Sequence, residues 1–233
     1  MISIVVPCHN EAENIPKLVE SIVGFRKKTK MNLELILADD HSTDQTYNVA
    51  KKLAGKNKFI RVIRRKDGNR GMGYTLIDGT KTAKRDLVAW VMGDCSDDVN
   101  TLLHMVNKIN EGYDMVIGSR YIDGGSGKEL GLFKTLMSSG YTFTSRILFG
   151  IPIHDSTNAF RMFRKSVFDS VVNEGLHGDF GISPQFAIKA HKKGYKLGEV
   201  PTVYSERKAG KPKFKMLKMG QRYIGILLKE RFA

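Results

Sequence analysis

Three short acidic clusters are the residues of this chain best suited to chemistry, and each follows an apolar run. Pro7-Cys8-His9-Asn10-Glu11 comes after the first run and Asp39-Asp40-His41-Ser42-Thr43-Asp44-Gln45-Thr46 after the second. Asp94-Cys95-Ser96-Asp97-Asp98 comes after the fourth. The formal net charge is +14 over 233 residues, so acids concentrated in this way stand out. Carboxylates converging beside a basic region suit a divalent cation, Mg²⁺ or Mn²⁺, that bridges a diphosphate. Such ions accept one or two carboxylates and fill their shell with phosphate oxygens. The competing use of Asp or Ser at a strand-to-helix turn is to cap the helix. Asp44 and Asp97 fit capping better, whereas Asp39 and Asp94 lie at the strand ends themselves.

The elements that must position these clusters alternate. Ile2–Pro7, Leu33–Asp39, Phe59–Arg64, Leu87–Met92 and Asp114–Gly118 are short runs rich in Ile and Val, as expected of strands buried on both faces. Between them Glu13–Phe25, Thr43–Ala54, Gly73–Ala83 and Val99–Ile109 read as helices, with Asp98 or Asn100 as a cap for the last. This repetition predicts an α/β, Rossmann-like, mostly parallel sheet with helices on both faces, in a single domain. Ligands then bind beyond the C-terminal strand ends, where the acidic clusters fall. The second half is less regular: a loop at Asp123–Gly127, a helix near Phe133–Phe149, and a strand at Ala159–Arg164. Helices near Ser166–Glu174 and Ser183–Lys193 follow, then a last strand at Tyr195–Tyr204. Trp90 reads as core, and His104, His154, His177 and His191 have no metal-ligand spacing.

Cys8 and Cys95 are far apart and form no ligand-spaced pair, which argues against a disulfide scaffold or zinc site and fits a reducing compartment. No signal peptide is expected, because Ile2–Val6 is short and lacks a basic flank; no run of about 18 apolar residues reads as a bilayer span. The expected location is the cytoplasm, free or peripheral at the membrane face. From Arg207 to Ala233 nine cations face the single acid Glu230, a net +8 that attracts phosphates of nucleotides, lipid headgroups or nucleic acid.

Seven segments in order carry a family resemblance: Val5-Val6-Pro7-Cys8-His9-Asn10-Glu11, Asp39 to Thr46, Asn69-Arg70-Gly71-Met72-Gly73, Met92-Gly93-Asp94, Gly118-Ser119-Arg120, Asp155-Ser156-Thr157-Asn158-Ala159-Phe160-Arg161, and Glu199-Val200-Pro201 with Arg207 and Gly210-Lys211-Pro212-Lys213. Over roughly Ser3 to Lys215 the chain resembles the family 2 inverting glycosyltransferases of the GT-A fold, of the dolichol-phosphate mannose synthase type. The resemblance implies a GT-A domain over 1–215, and the spacing of the remaining residues predicts a basic amphipathic helix over 216–233. It implies a nucleotide site of Pro7, Asn10, Glu11, Asp39, Asp40, Gly71 and Gly73, with Asp39 reading the base, Asp40 near the ribose and the glycines near the nucleotide. Asp94 matches the metal ligand, for Mg²⁺ or Mn²⁺. Arg120, Lys134, Ser138 and Arg207 match positions that hold an acceptor phosphate, and Asp155 matches an acid near the acceptor; Asp94, Asp155 and Arg120 are the expected catalytic set.

The implied reaction moves a sugar, with inversion, from GDP-mannose or a UDP-sugar to a polyprenyl or dolichyl phosphate. A lipid phosphate needs no strong base, whereas a saccharide hydroxyl, the alternative acceptor, requires a carboxylate such as Asp155 or else Asp97. A non-enzymatic alternative is a degenerate nucleotide- or nucleic-acid-binding protein. Against nucleic acid, the cations crowd one end instead of lining a groove with aromatics. The chain departs from the pattern at Met92 (usually Asp), His41 (usually Gly), Met72 (often Lys), Lys134 (Arg) and Gln185 (often an acid). Leu217, Ile224, Leu227 and Leu228 stand at helical spacing among Lys218, Arg222 and Lys229, which suits an interfacial helix on an anionic membrane. The other use of that helix is packing on the body with its cations in solvent. Tyr141 and Phe143 are read as helix packing before any acceptor groove.

Overall fold

The computed structural model describes residues 1–66, 68–207, 209 and 216–232, the side chains of 216–218 excepted. Lys208, Lys211, Lys213 and Lys215, and with them the Gly210–Lys213 segment, lie outside the described residues, as do the side chains of Leu217 and Lys218.

Seven strands share one sheet: β1 (Ile2–Cys8), β2 (Leu33–Asp39), β3 (Ile60–Arg64), β4 (Leu87–Trp90), β5 (Met115–Ser119), β6 (Arg161–Arg164) and β7 (Leu197–Pro201). Their order is β3-β2-β1-β4-β6-β5-β7, and β6 runs antiparallel to both β4 and β5. The remaining pairings are parallel. Helices α1 (Ile15–Thr29), α2 (Thr46–Lys56), α3 (Met72–Lys81), α4 (Thr101–Asn110), α5 (Leu132–Phe149), α6 (Lys165–Val171), α7 (Ile182–Lys192) and α8 (Met216–Phe232) cover it. Alternation along β1 shows why the apolar runs are continuous. Ile2, Ile4, Val6 and Cys8 pack with α1 and α4 in one core, while Val5 points into a second core with α3, α6 and α7.

The strands lie where the apolar runs predict, and three helices, α1, α2 and α4, begin two or three residues later than expected. Residues 43–45 do not join α2 because Asn10 Oδ1 accepts hydrogen bonds from Thr43 N (2.8 Å) and Asp44 N (3.4 Å). Residues 11–14 turn before α1, with Asn14 Nδ2 donating to Glu11 Oε2 at 2.6 Å. Local side-chain bonds of this kind compete with helix. Trp90 is core as read: its ring meets Phe163 edge-on at 5.1 Å, and its Nε1 donates to Thr80 Oγ1 at 2.9 Å. Among the described residues no helix is long and apolar enough to cross a membrane.

Helix α8 packs one face on α5 and α7. Ile226 and Leu227 are buried there with Tyr141 and Ile188, so Leu227 belongs to the inner face and Ile224 and Leu228 to the outer. Phe163 touches Trp90, Phe168 and Phe186 and joins sheet to helices. Phe163→Ala is expected to cost about 3–5 kcal/mol, read as a fall in the urea midpoint at unchanged slope.

Candidate active site

Register levels the strand ends. Cys8 opposes Asp39, Asp39 opposes Arg64, and Val5 opposes Trp90, so the loops after β1, β2 and β4 leave the sheet along one rim. Strand order turns between β1 and β4, and in open α/β sheets that crevice receives ligands. A cleft of about 880 Å³ opens there. Pro7, Glu11, Asp40, Gly71, Asp94, Arg120, Lys134, Ser138 and Arg207 line it as the sequence led us to expect; Asn10, Asp39, Gly73 and Asp155 do not.

The residues expected at a nucleotide divide into those that face the cleft and those that brace it. Asn10, at φ 52°, is spent on the second loop: its N–H donates to Ser42 Oγ (3.0 Å), and its carboxamide holds Thr43 and Asp44. Asp44 behaves as a cap, accepting from Thr46 N (2.9 Å) and Ala12 N (3.3 Å). Burial raises its carboxyl, and these hydrogen bonds together outweigh burial and hold it below the usual range. Asp40 accepts from Arg65 Nη1 (2.9 Å) and Gly71 N (2.8 Å), so its carboxylate clamps the glycine loop. Asp39 differs. It is buried, neither carboxylate oxygen accepts a hydrogen bond among the described residues, and Arg64 Nε lies 3.5 Å away. A buried carboxylate with unspent acceptors is costly unless a ligand completes it.

The glycine pair corrects one expectation. Gly73 is off the cleft wall, and a Cβ on it would stand 2.1 Å from His177 O. A Cβ on Gly71, at φ 147°, would stand 2.1 Å from Gly178 O, and Tyr74 N donates to that oxygen at 3.1 Å. The close approach made possible by glycine is therefore to the 177–179 backbone.

Asp94 lines the cleft and accepts from Ser96 N at 3.2 Å. Asp97 lines it too, accepting from Met92 N at 2.7 Å, so it does not cap α4; Asp98 accepts from Asn100 N at 2.9 Å in the turn before that helix. Burial first, then the neighbouring Asp94 charge, pushes the Asp97 carboxyl up to about 7 against the lowering bond from Met92. Among the described residues no group of three His, Cys, Asp or Glu could hold a metal by itself. Two carboxylates lining this cleft fit a cation that draws its remaining ligands from the substrate and water.

The opposite wall is built on a buried ion pair. Asp155 is 0% exposed and binds Arg120 on three bonds: from its N (3.0 Å), Nε (2.7 Å) and Nη2 (2.7 Å). Its carboxylate is thus spent on positioning Arg120, which corrects its placement as a proton acceptor at the acceptor site. Arg161 is wholly buried behind it and donates to Ser183 O (2.7 Å) and Ser156 O (3.2 Å). Burial lowers this guanidinium to about 9. Ser138 bonds the Tyr121 hydroxyl. Arg207 Nη2 meets both Glu11 oxygens at 2.9 and 3.0 Å, joining two expected site residues to each other. Sequence reasoning missed Met219, Gly220 and Tyr223 of α8, which line the cleft. The signal was present as an inward stripe of Met219, Tyr223, Ile226 and Leu227 at helical spacing, hidden by the outward stripe beside it.

The model of the glycosyl transferase family 2 domain matches residues 3–172. The chain is 30% identical to the dolichol-phosphate mannosyltransferase of Pyrococcus furiosus over 92% of its own length, and it spans 59% of that relative. It is 25% identical to the polyprenol monophosphomannose synthase of Mycolicibacterium smegmatis over 89% of its length and 78% of the relative's. Among solved structures it resembles glucosyl-3-phosphoglycerate synthase of Mycobacterium tuberculosis, determined with Mn²⁺, UDP and glucosyl-3-phosphoglycerate. That likeness has a TM-score of 0.75 at 19% identity, covers 100% of this chain and 80% of the other, and shows a shared GT-A fold. The chain belongs to glycosyl transferase family 2.

Asp155→Asn is expected to destabilise by about 3–5 kcal/mol, because it strands a buried guanidinium. A proton acceptor would instead lose turnover at unchanged stability, so denaturant melts beside activity separate the two roles.

Proposed function

We propose that this family 2 chain transfers a sugar, with inversion, from a nucleotide diphosphate donor, GDP-mannose or a UDP-sugar, to a polyprenyl or dolichyl phosphate. One observation carries the reading: a single cleft is lined by the acids Asp94 and Asp97, the cations Arg120 and Lys134, and the apolar Leu130, Phe133 and Met137. Acids suit a metal–diphosphate, cations an acceptor phosphate, and the apolar wall its hydrocarbon. The names of the two curated relatives agree with this acceptor class.

Asp39 would accept from the N–H groups of the base, completing its two open oxygens. Asp94, with Asp97 beside it, would hold Mg²⁺ or Mn²⁺, whose chemistry here is Lewis-acid stabilisation of the departing diphosphate. Arg120, fixed by Asp155, and Lys134 would orient the acceptor phosphate and offset its repulsion from the donor. A phosphate oxygen is already anionic and needs no base. A saccharide hydroxyl would need one, and with Asp155 spent on Arg120 the carboxylate left for it is Asp97. Phosphate acceptors are therefore favoured.

We also propose that the enzyme works from the membrane face, with α5 and the outer side of α8 as the contact. Leu132, Phe133, Leu136, Phe143 and Ile147 of α5 are exposed, with Ile224, Leu228 and Phe232 of α8. Arg146, Arg222, Lys229 and Arg231 are exposed among them; α5 has no acid, and the one acid of α8, Glu230, is buried. Apolar side chains ringed by cations suit an anionic bilayer surface.

In thermal shift, GDP or UDP with Mn²⁺ should raise the midpoint, and chelator should remove the gain. Nucleotide at about 100 times its Kd corresponds to about 2.7 kcal/mol. Asp94→Ala should abolish the metal-dependent part, and a full shift in that variant would discard Asp94 as the ligand; stabilisation by oligonucleotide alone would overturn the assignment. Replacing Phe143 and Ile147 together by Glu should cut co-sedimentation with phosphatidylserine vesicles several-fold while donor binding persists. Unchanged partitioning would remove α5 from the contact.

A further inference from the structure

Helix α8 packs on α5 and α7 and reaches the cleft with its first turns. Its N-terminal half brings Met219, Gly220 and Tyr223 to the wall opposite the acids, and the Tyr223 ring lies 4.7 Å from that of Tyr141. Three turns further on sits Glu230, an acid only 1% exposed in the most basic part of the chain. Burying a carboxylate is costly unless partners replace its lost hydration. Gln185 Nε2 donates to Glu230 Oε1 at 2.8 Å, Lys189 Nζ lies 3.5 Å from Glu230 Oε2, and Lys192 Nζ donates to Glu230 O at 2.8 Å.

Gln185 is the joint of this arrangement. It is 1% exposed, and its two amide atoms work in opposite senses: Oε1 accepts from His177 N at 2.8 Å while Nε2 donates to Glu230. A carboxylate of the same size would keep the first bond and turn the second into a buried repulsion, with no proton between the oxygens. An aliphatic residue would satisfy neither partner. The loop that Gln185 grips is the one pressed against Gly71 and Gly73, and its Asp179 pairs with Arg222 of α8. Asp179 and Phe180 of that loop line the cleft. One short segment therefore touches the glycine turn at the nucleotide end, the helix at the acceptor end, and the space between them.

We propose that Gln185 and Glu230 are positioning residues that latch α8 as a wall of the acceptor half of the cleft. The proposal rests on the reading of this cleft as a glycosyl-transfer site, and it makes α8 a part of that site. Neither residue touches substrate. They act through the seating of Met219 and Tyr223, so their loss falls on acceptor use before donor use. The chemistry of the pair also explains why an acid at 185 does not suit this chain: the carboxylate comes from α8, and the amide must lie opposite it.

A reciprocal exchange tests the latch. Gln185→Glu should speed amide hydrogen exchange over Met219–Leu228 and raise the KM for farnesyl phosphate about tenfold, with kcat changed far less. Glu230→Gln alone should do the same more weakly, since amide can still meet amide. The double variant Q185E/E230Q rebuilds both bonds with the charge moved to 185, one helical turn from Lys189, and should return exchange and KM to within about threefold of the parent. Unchanged exchange in Q185E overturns the latch. Faster exchange at unaltered acceptor KM overturns its role in the site, and a double variant no better than Q185E shows that residue 185 acts by packing alone, which also overturns it. Failure of the parent protein to transfer sugar to farnesyl phosphate would instead count against the functional reading, and the exchange measurements would still decide the latch.

Discussion

A guanidinium and a carboxylate buried against each other set the frame of this cleft. Arg120 follows β5 and Asp155 stands in the loop before β6, so their three bonds join two segments 35 residues apart. Neither charge tolerates burial alone, and the pair holds only with full bidentate geometry. Asp155 thereby raises the Arg120 pKa although burial, the larger single effect, lowers it. The guanidinium is consequently a fixed cation on the cleft wall. Arg161 has no such carboxylate partner among the described residues; it is wedged among carbonyls and over the Trp90 ring at 5.8 Å, and burial lowers its pKa.

The remaining charges follow a similar division between bracing and reaching. Asp40, Asp44 and Asn10 look alike in sequence to residues that bind ligand, yet their polar atoms are consumed in holding one loop to the next. Asp39, Asp94 and Asp97 keep the capacity to act outward or lie beside those that do. A site of this kind needs the first group so that the second can be placed to within fractions of an ångström.

Much of this was legible beforehand for physical reasons. Strands buried on both faces must be apolar throughout, so Leu33–Asp39 and Leu87–Trp90 announce themselves, and a parallel sheet then dictates the rim where acids matter. Helix starts were harder, because Asn10 reaches across 33 residues to halt α2, a bond that no local window contains. Asp155 was read as an acid facing the acceptor, since a sequence displays a carboxylate and not the arginine that consumes it. The glycines at 71 and 73 signalled a close approach, while the approaching group, the 177–179 backbone, was far away in the chain. For α8 the outward apolar stripe and the inward one are nearly equal, and tertiary packing decided between them.

The reversed strand has a geometric consequence. In a wholly parallel sheet each strand would offer its trailing end to the ligand, and every functional turn would lead into a helix. Running β6 backwards presents its leading end there, so the stretch 151–160 crosses the mouth of the crevice before the chain enters the sheet. That stretch carries no helix to be kept in register and hangs between two neighbours that point the other way. Exchanges at Thr157, Asn158 and Ala159, which line the cleft, can therefore reshape its wall while the turns after β1, β2 and β4 stay put and Asp155 keeps its hold on Arg120.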